Sequence, residues 1–277
     1  MKPVRINAHY YQQFDADYSR DVPAESYGGW RQSEIELAPD RTALVVMHAW
    51  EAGTMEQWPG WRRCVEYHPR ALQVLADVFP PLLTAVRASP LPVFHVVGGR
   101  DYYSHLPGYV RTRELAGPSP RYEPVAKDPV LERLDEFRGQ NVFVGAHNRP
   151  DVDAGWQKLD FAPQARPVGD EAIAEDGHQL AALCRAHGIN HLVYVGFAIN
   201  WCLLMSPGGM VDMTRYGVMC STIREAVTAV ENRETAREER EKQQALWRTA
   251  INSGFVFGLD DFLAMLRTLN ANPALQR

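Results

Sequence analysis

The sequence predicts an α/β fold, a three-layer αβα sandwich built on a doubly wound parallel sheet. Runs of apolar, β-branched and aromatic residues alternate along the chain with segments of helical periodicity. Several of these runs are apolar throughout, which is typical of strands that are buried on both faces of a parallel sheet. Strands joined by helices in this order favour right-handed crossovers, with helices on both faces of the sheet.

The expected strands are short apolar runs bounded by Gly, Pro or Asp. The first run, RTALVVMHAW, follows the residues APD, and the fourth run, HLVYV, is rich in β-branched and aromatic residues and stops at Gly196. In chain order the expected strands are 41–50, 91–99, 140–147, 191–195 and 216–221, with a short sixth strand at the start of 255–266.

The expected helices have apolar residues at spacings of three and four. Residues 69–89 follow this pattern but are interrupted at Pro80 and Pro81, and residues 175–189 end at Gly188, a residue type that commonly terminates helices. The other expected helices are 129–139 within a long connection, the long amphipathic segment 232–254, and the last part of 255–266.

The chain divides into two regions. Residues 1–40 are polar and aromatic with a turn at 26–30, so we expect a surface arm that holds one or two short strands. Residues 41–270 are expected to form one domain, because this length supplies an ample hydrophobic core.

Composition argues against several classes of protein. The net charge of −5 favours neither nucleic acid nor an anionic membrane as a partner, and the longest apolar runs are too short to span a bilayer. The N-terminus lacks the apolar core of a signal peptide. The four cysteines are widely scattered and form no CxxC pair, which is typical of free thiols in a reducing cytoplasm. We therefore expect a cytoplasmic protein, and we expect it to have no cofactor.

Three reactive side chains follow expected strands. His48 follows the first strand, His147 the third and Cys202 the fourth. Parallel sheets bind ligands at the carboxyl ends of their strands, so these residues are expected to meet at one edge. A single histidine in such a place is more often a hydrogen-bonded structural residue, and it is the coincidence of the three that indicates an active site.

Cys202 is the strongest candidate for a nucleophile. It lies just beyond Gly196, where the chain is expected to turn into a helix, and the positive field of a helix N-terminus favours a thiolate. The alternative is that Cys202 is a small buried hydrophobic residue, as most free cysteines are.

At this point the chain resembles the isochorismatase-like cysteine hydrolases over most of residues 41–267. The segment GFAINWC (196–202) is similar to the family's G-x-A-T-x-x-C stretch, in which the cysteine is the nucleophile. The resemblance implies a non-proline cis peptide, expected at Ala198-Ile199, whose backbone N–H groups form an oxyanion hole. It also implies a homo-oligomer and hydrolysis of a C–N bond in a small amide or carbamoyl compound through a thioester on Cys202.

The sequence departs from the family's Asp–Lys–Cys triad at two positions. His48 stands where the Asp belongs, and Ala146 or its neighbour stands where the Lys belongs. Glu51 could supply a displaced carboxylate. The nearest downstream cations are Arg149 and Lys158, and neither lies at the expected strand end.

Two hypotheses remain open from the sequence. In the first, His48 replaces the Asp as general base for Cys202, since a neutral imidazole is a competent activator of a thiol. In the second, the chain is a catalytically inactive relative that binds a small molecule or a protein. A metal hydrolase using His48, His95 and His147 is a weaker alternative, because no carboxylate falls at ligand spacing and HAWE is not an H-E-x-x-H motif.

Further residues are candidates for the wall of a pocket. Trp50 and Trp201 could supply aromatic surface, and Arg100 could hold a carboxylate. His147 is expected to be a secondary polar contact, and Glu51 and Arg149 are further possible pocket residues.

Overall fold

The computed structural model describes residues 1–51 and 53–271 and contains one eight-stranded sheet. The strands are β1 (Val4–Gln12), β2 (Gly29–Leu37), β3 (Thr42–Met47), β4 (Val93–Val96), β5 (Ala172–Ala174), β6 (His191–Gly196), β7 (Met219–Val227) and β8 (Val256–Phe257). Their spatial order is β2-β1-β8-β7-β6-β3-β4-β5. The strands β3 to β8 run parallel to one another, and β1 is antiparallel to its two neighbours, β2 and β8.

Helices cover both faces of this sheet. In chain order they are α1 (Pro59–Cys64), α2 (His68–Asp77), α3 (Phe79–Arg87), α4 (Pro107–Ala116), α5 (Pro129–Asn141), α6 (Arg149–Trp156), α7 (Gly177–His187), α8 (Met210–Thr214), α9 (Arg240–Asn252) and α10 (Leu259–Ala271). Within the described ranges, no helix is both long and apolar enough to cross a membrane.

The central strand β3 separates two hydrophobic cores. All six of its residues are buried, as expected for a central parallel strand. Leu44 and Val46 pack with α2, α3 and α10 on one face, whereas Ala43, Val45 and Met47 pack with α7, α8 and α9 on the other. The three-layer αβα architecture and the doubly wound sheet are therefore confirmed.

The order of strands reverses between β3 and β6. After β3 the chain builds outward through β4 and β5, and it then returns to the other side of β3 for β6, β7 and β8. The crevice outside the carboxyl ends of two such strands is the usual ligand site of an open α/β sheet. His48 follows β3 and Cys202 lies shortly after β6, so both leave the sheet at this crevice.

The first 40 residues, expected to form a surface arm with one or two short strands, contribute two nine-residue strands to the sheet. β1 pairs along its full length with β2 and joins the parallel strands through His9 and Val256. Val4, Ile6 and Ala8 alternate with exposed residues and belong to the core. This period-two burial is the reason the segment is held in the sheet.

The prediction of a strand at 140–147 is wrong. α5 continues to Asn141, an irregular turn follows, and α6 begins at Arg149. Val144 in the turn is buried, but Val142 and Phe143 are exposed, so the apolar run does not enter the core. The third parallel strand is instead β5, whose three residues Ala172–Ala174 are too few to produce a clear apolar run.

Other boundaries also differ from expectation. Residues 69–89 form two helices, with Pro80 and Pro81 in the first turn of α3, where a missing N–H costs least. α9 begins at Arg240 rather than near residue 232, because the buried carboxylate of Glu231 accepts the backbone N–H groups of Glu241 and Lys242 and caps the helix there. The end of α7 at Gly188, in the left-handed conformation, is confirmed.

A buried ion network joins β4 to the loop before β5. Glu171 accepts two hydrogen bonds from Arg87, at 2.7 and 2.9 Å, and its Oε2 lies 2.9 Å from Nε2 of the fully buried His95. Burial acts to raise the pKa of Glu171, but the hydrogen bonds from Arg87 and His95 outweigh it and lower the pKa to about 2. Removing this carboxylate would leave Arg87 and His95 without their partner.

We predict that Glu171→Gln lowers the free energy of unfolding by about 3 kcal/mol at pH 7. Because the folded-state pKa lies below the usual value, the carboxylate stabilises the fold above about pH 4.5 and loses this contribution as the pH falls towards 2. The difference between wild type and variant should shrink over that interval, as measured by chemical denaturation. Glu36→Gln, at an exposed carboxylate of β2, serves as the control, and an equal loss in both variants would contradict the prediction.

Candidate active site

The close pairing of β3 with β6 determines where the candidate nucleophile lies. Met47 is level with Gly196, and the backbone N–H of Phe197 donates to the Met47 carbonyl at 3.2 Å. Gly196 has a φ of +128°, and a Cβ at this position would lie 1.9 Å from the Met47 carbonyl oxygen. Only glycine fits here, which explains why the apolar strand ends in this residue.

The peptide bond between Phe197 and Ala198 is cis. The cis peptide was expected at Ala198-Ile199, so the expectation was wrong by one residue. The neighbouring Ile199 uses its backbone N–H to donate to the Thr228 carbonyl at 2.7 Å. Ile199 is therefore not available as the oxyanion donor expected from the sequence.

Cys202 lies within a single π-helical turn, Ile199–Leu203. The turn is tied to the chain beyond β7, since the Asn200 side chain donates to the Val230 carbonyl at 2.8 Å and accepts the Val230 N–H at 2.9 Å. These bonds tether the turn to Val230 at a point two residues before the thiol.

The electrostatics of the thiol are opposite to the expectation. Burial raises the pKa of Cys202, and hydrogen bonds from the Ser206 hydroxyl and from the backbone N–H groups of Ala198 and Cys202 oppose this only in part. The expected field of a helix N-terminus is missing because Cys202 sits inside a five-residue turn rather than at the start of a long helix. At pH 7 the resting group is therefore the neutral thiol.

The backbone at the thiol nevertheless forms an anion-stabilising arrangement. The backbone N–H groups of Ala198 and Cys202 act to lower the pKa of Cys202 and so favour the thiolate. Two N–H donors at a nucleophile can also stabilise the oxyanion of an acyl-transfer intermediate. Ala198 and Ile199 were expected as oxyanion donors, and for Ala198 this role stays a prediction.

His48 directly follows β3 and has the left-handed conformation, with a φ of +50°. Its ring stacks on Trp50 at a centroid distance of 4.5 Å. Burial lowers the pKa of His48 to about 4, with the Val97 carbonyl acting in the opposite direction. Nδ1 of the ring is buried and has no hydrogen-bond partner in the part of the chain that the structure describes. His48 is thus a neutral imidazole at pH 7.

Tyr67, which directly precedes α2, lies near enough to Cys202 for their charges to interact. Burial and the charge that Cys202 carries as a thiolate both raise the pKa of the Tyr67 hydroxyl. Tyr67 and Ser206 were not predicted from the sequence, because isolated hydroxyl residues in a loop and a turn carry no pattern.

Four of the predicted pocket residues lie on the surface. His147 belongs to an exposed turn, and Arg149 is exposed at the start of α6 beside α5. Exposed Glu51 accepts the backbone N–H of Gly53 at 3.1 Å. Arg100 is exposed and donates to Gln157. His147 was expected at a strand end, and that expectation fails because residues 140–147 are not a strand.

The two predicted tryptophans occupy different parts of the structure. Trp50 is partly buried between His48 and Trp156, and its Nε1 donates to the Tyr102 hydroxyl at 2.8 Å. Trp201 is 43% exposed and packs edge-on against Phe143 at 5.8 Å. Trp201 is therefore the one that can offer aromatic surface beside Cys202.

The third parallel strand ends in a carboxylate that the sequence analysis missed. Glu175 follows β5 directly and accepts hydrogen bonds from the hydroxyls of Tyr103 and Tyr109 at 2.9 and 2.8 Å. It takes the strand-end position at which Ala146 was expected, so the three strand ends carry His48, Glu175 and Cys202. Among residues 1–51 and 53–271, no cluster of three His, Cys, Asp or Glu side chains could hold a metal ion.

We predict that iodoacetamide alkylates Cys202 slowly at pH 7 and that its rate rises with an apparent pKa above the free-thiol value of about 8.5. Ser206→Ala should raise this pKa further and slow alkylation at pH 8, because a hydrogen bond to the thiolate is lost. Peptide mass spectrometry measures the rate at each cysteine.

Ser104→Ala, at an exposed hydroxyl, is the matched control and should leave the rate unchanged. The buried thiols of Cys184 and Cys220, whose pKa values are also raised by burial, should react more slowly than Cys202. An apparent pKa of Cys202 below 8 would contradict this account of the thiol.

No family model matches this chain. The ureidoacrylate amidohydrolase RutB from Pseudomonas syringae pv. syringae (strain B728a) is 23% identical over 252 residues, which cover 90% of each chain.

Solved structures are similar at lower identity. A cysteine hydrolase from Pseudomonas syringae pv. phaseolicola 1448A superposes with a TM-score of 0.47 and 16% identity over 84% of this chain and 95% of its own. An isochorismatase-like hydrolase from Alkaliphilus metalliredigens gives a TM-score of 0.46 and 15% identity over 81% of this chain and 98% of its own. In sequence the chain resembles the isochorismatase-like cysteine hydrolases over most of its length.

Proposed function

We propose that this chain is a cysteine-dependent hydrolase that cleaves a C–N bond in a small amide or carbamoyl compound. The observation that carries the proposal is the position of Cys202, in a turn that follows β6 beside the reversal of strand order and is tethered through Asn200 to Val230. The amidohydrolase activity in the name of the relative that is 23% identical supports the same class of reaction.

The proposed reaction has two stages. The Cys202 sulfur attacks the carbonyl carbon, and the carbonyl electrons move to an oxyanion that the N–H groups of Ala198 and Cys202 stabilise. The C–N bond then breaks, and the nitrogen leaves with a proton. Water attacks the resulting thioester and releases the carboxylic or carbamic acid together with the free thiol, so that one water is consumed per bond cleaved.

His48 is the proposed general base. If its Nε2–H donates towards the Val97 carbonyl, the buried and unpartnered Nδ1 carries the lone pair that accepts a proton. Because the pKa of His48 is about 4 and that of Cys202 is raised, a stable thiolate–imidazolium pair is unfavourable. Proton transfer must therefore accompany attack on the substrate rather than precede it.

A non-catalytic binding protein is the second candidate. Two observations favour it. His48 and Glu175 occupy the strand ends. Burial also leaves the Cys202 thiol and the His48 imidazole both neutral at pH 7. In that case Cys202 would line a small-molecule binding site. Under both proposals we place the protein in a reducing compartment such as the cytoplasm, because its four cysteines are free.

A panel of small primary amides and carbamoyl compounds, assayed for release of ammonia, tests the proposal. We expect at least one compound to be hydrolysed and Cys202→Ala to reduce kcat by a factor of 1000 or more, because the nucleophile is lost. Acid quenching and mass spectrometry should detect the acyl group on the peptide that contains Cys202.

Cys64→Ser is the matched control, since its hydroxyl can keep the hydrogen bond that Cys64 donates to the Val144 carbonyl, and it should retain activity. His48→Ala should lower kcat by a factor of 100 or more while the alkylation pKa of Cys202 stays within about half a unit, because the base acts only during attack. If a compound is hydrolysed and Cys202→Ala leaves its turnover unchanged, or if compounds bind and none is hydrolysed, the cysteine hydrolase is ruled out.

A further inference from the structure

Trp50 lies against one face of the His48 ring. The two rings stack with their centroids 4.5 Å apart and an interplanar angle of 16°. The backbone brings them together, because the Trp50 N–H donates to the His48 carbonyl at 3.0 Å and closes a three-residue turn. The stack places the negative face of the indole ring against the imidazole.

Contacts that do not involve His48 hold the indole in place. Its Nε1 donates to the Tyr102 hydroxyl at 2.8 Å, and Trp156 packs edge-on against it at a centroid distance of 5.3 Å. The residues on either side of Trp50 are hydrogen-bonded through their backbones to the segment 160–162, at 2.9 Å in each case. The plane of the indole is therefore set by groups other than the histidine.

A positive charge on His48 has no carboxylate to compensate it in the part of the chain that the structure describes. Burial lowers the pKa of His48 to about 4, and the Val97 carbonyl opposes this effect. Of the carboxylates on neighbouring segments, Glu51 is exposed and directed at a backbone N–H, and Asp160 is paired with Arg166. A charged imidazole ring must therefore be stabilised by neutral groups.

The reaction proposed above creates such a charge for a short time. His48 takes the proton of the Cys202 thiol on Nδ1 as the sulfur attacks, and it later gives this proton to the leaving nitrogen. The face of a tryptophan attracts a cation within about 6 Å of its ring centroid, most strongly where water is excluded. At 4.5 Å the indole therefore stabilises the charged ring more than the neutral ring, and so favours the transition state.

We propose that Trp50 is a positioning residue that acts through His48, because its indole fixes the plane of the imidazole and stabilises the imidazolium that forms during attack by Cys202. Trp50 itself exchanges no proton or electron. It takes the part that a buried carboxylate plays beside the histidine of a catalytic triad, where it orients the ring and stabilises the charged form. The inference rests on the proposed role of His48 as general base.

A purely structural role for Trp50 predicts the opposite change in the ionisation of His48. If the indole only buries the histidine, its removal admits water, and the pKa of His48 rises towards its usual value of about 6.5. If the indole stabilises the imidazolium, its replacement by another apolar side chain lowers the pKa further. The direction of the shift therefore separates the two roles without a substrate.

NMR of the full chain with isotope-labelled histidine, recorded between pH 4.5 and 8, measures the protonated fraction of His48. The signal is assigned by its loss in His48→Gln. We expect Trp50→Leu to lower the pKa of His48 by about one unit, so that the protonated fraction at pH 5 falls about tenfold. Trp50→Phe should give a smaller decrease, because the phenyl face attracts a cation less strongly.

Trp247→Leu is the matched control, since it removes a partly buried indole that packs against Tyr11, and it should leave the pKa of His48 unchanged. A raised or unchanged pKa in Trp50→Leu would overturn the inference.

The same variants are then assayed on a compound that the protein hydrolyses. Trp50→Leu should lower kcat about tenfold with little change in KM. In the His48→Gln background it should cause no further loss, because it acts only through the imidazole. An equal loss in both backgrounds would overturn the positioning role. If no compound is hydrolysed, the hydrolase fails and the catalytic part of this inference fails with it, whereas a lowered pKa in Trp50→Leu still supports stabilisation of the imidazolium. Hydrolysis together with a raised or unchanged pKa overturns this inference alone.

Discussion

The close approach of Gly196 to the Met47 carbonyl is the constraint on which the arrangement of the site depends. It allows β6 to stay in register with β3 to its last residue and then to turn sharply away. Any side chain at position 196 would push the two strands apart at the point where the strand order reverses. His48 and the turn that carries Cys202 would then no longer leave the sheet together.

The fold could be predicted from the sequence wherever a long apolar run coincides with a central strand. β3 and β6 are fully or almost fully buried, so their sequences are apolar throughout and could be recognised. β5 has three residues and lies at the edge, so its sequence carries little signal. The run at 140–147 was also interpreted as a strand, but most of it belongs to a turn in which Val142 and Phe143 are exposed. The prediction failed because the sequence does not show which apolar residues reach the core.

The site was only partly predictable for a related reason. The placement of Cys202 follows from local sequence, whereas the state of its thiol depends on burial, which is a property of the whole fold. The same holds for His48, whose low pKa comes from its surroundings and not from its position in the sequence. Glu175 became visible as a strand-end residue only when β5 was located. Both the thiol and the imidazole are neutral at pH 7, and the carboxylate of Glu175 lies at the end of the more distant strand β5.

The double hydrogen bond between Asn200 and Val230 has a consequence for sequence drift in this chain. Both bonds go to the backbone of Val230, so any residue except proline, which lacks the N–H, can make them at position 230. Natural variation at that position can therefore change the neighbourhood of the nucleophile without moving its backbone. The opposite is true of position 200, where a side chain lacking both a donor and an acceptor would release the turn. Homologues that preserve the geometry of this turn should vary at position 230, proline excepted, and keep an amide side chain at position 200.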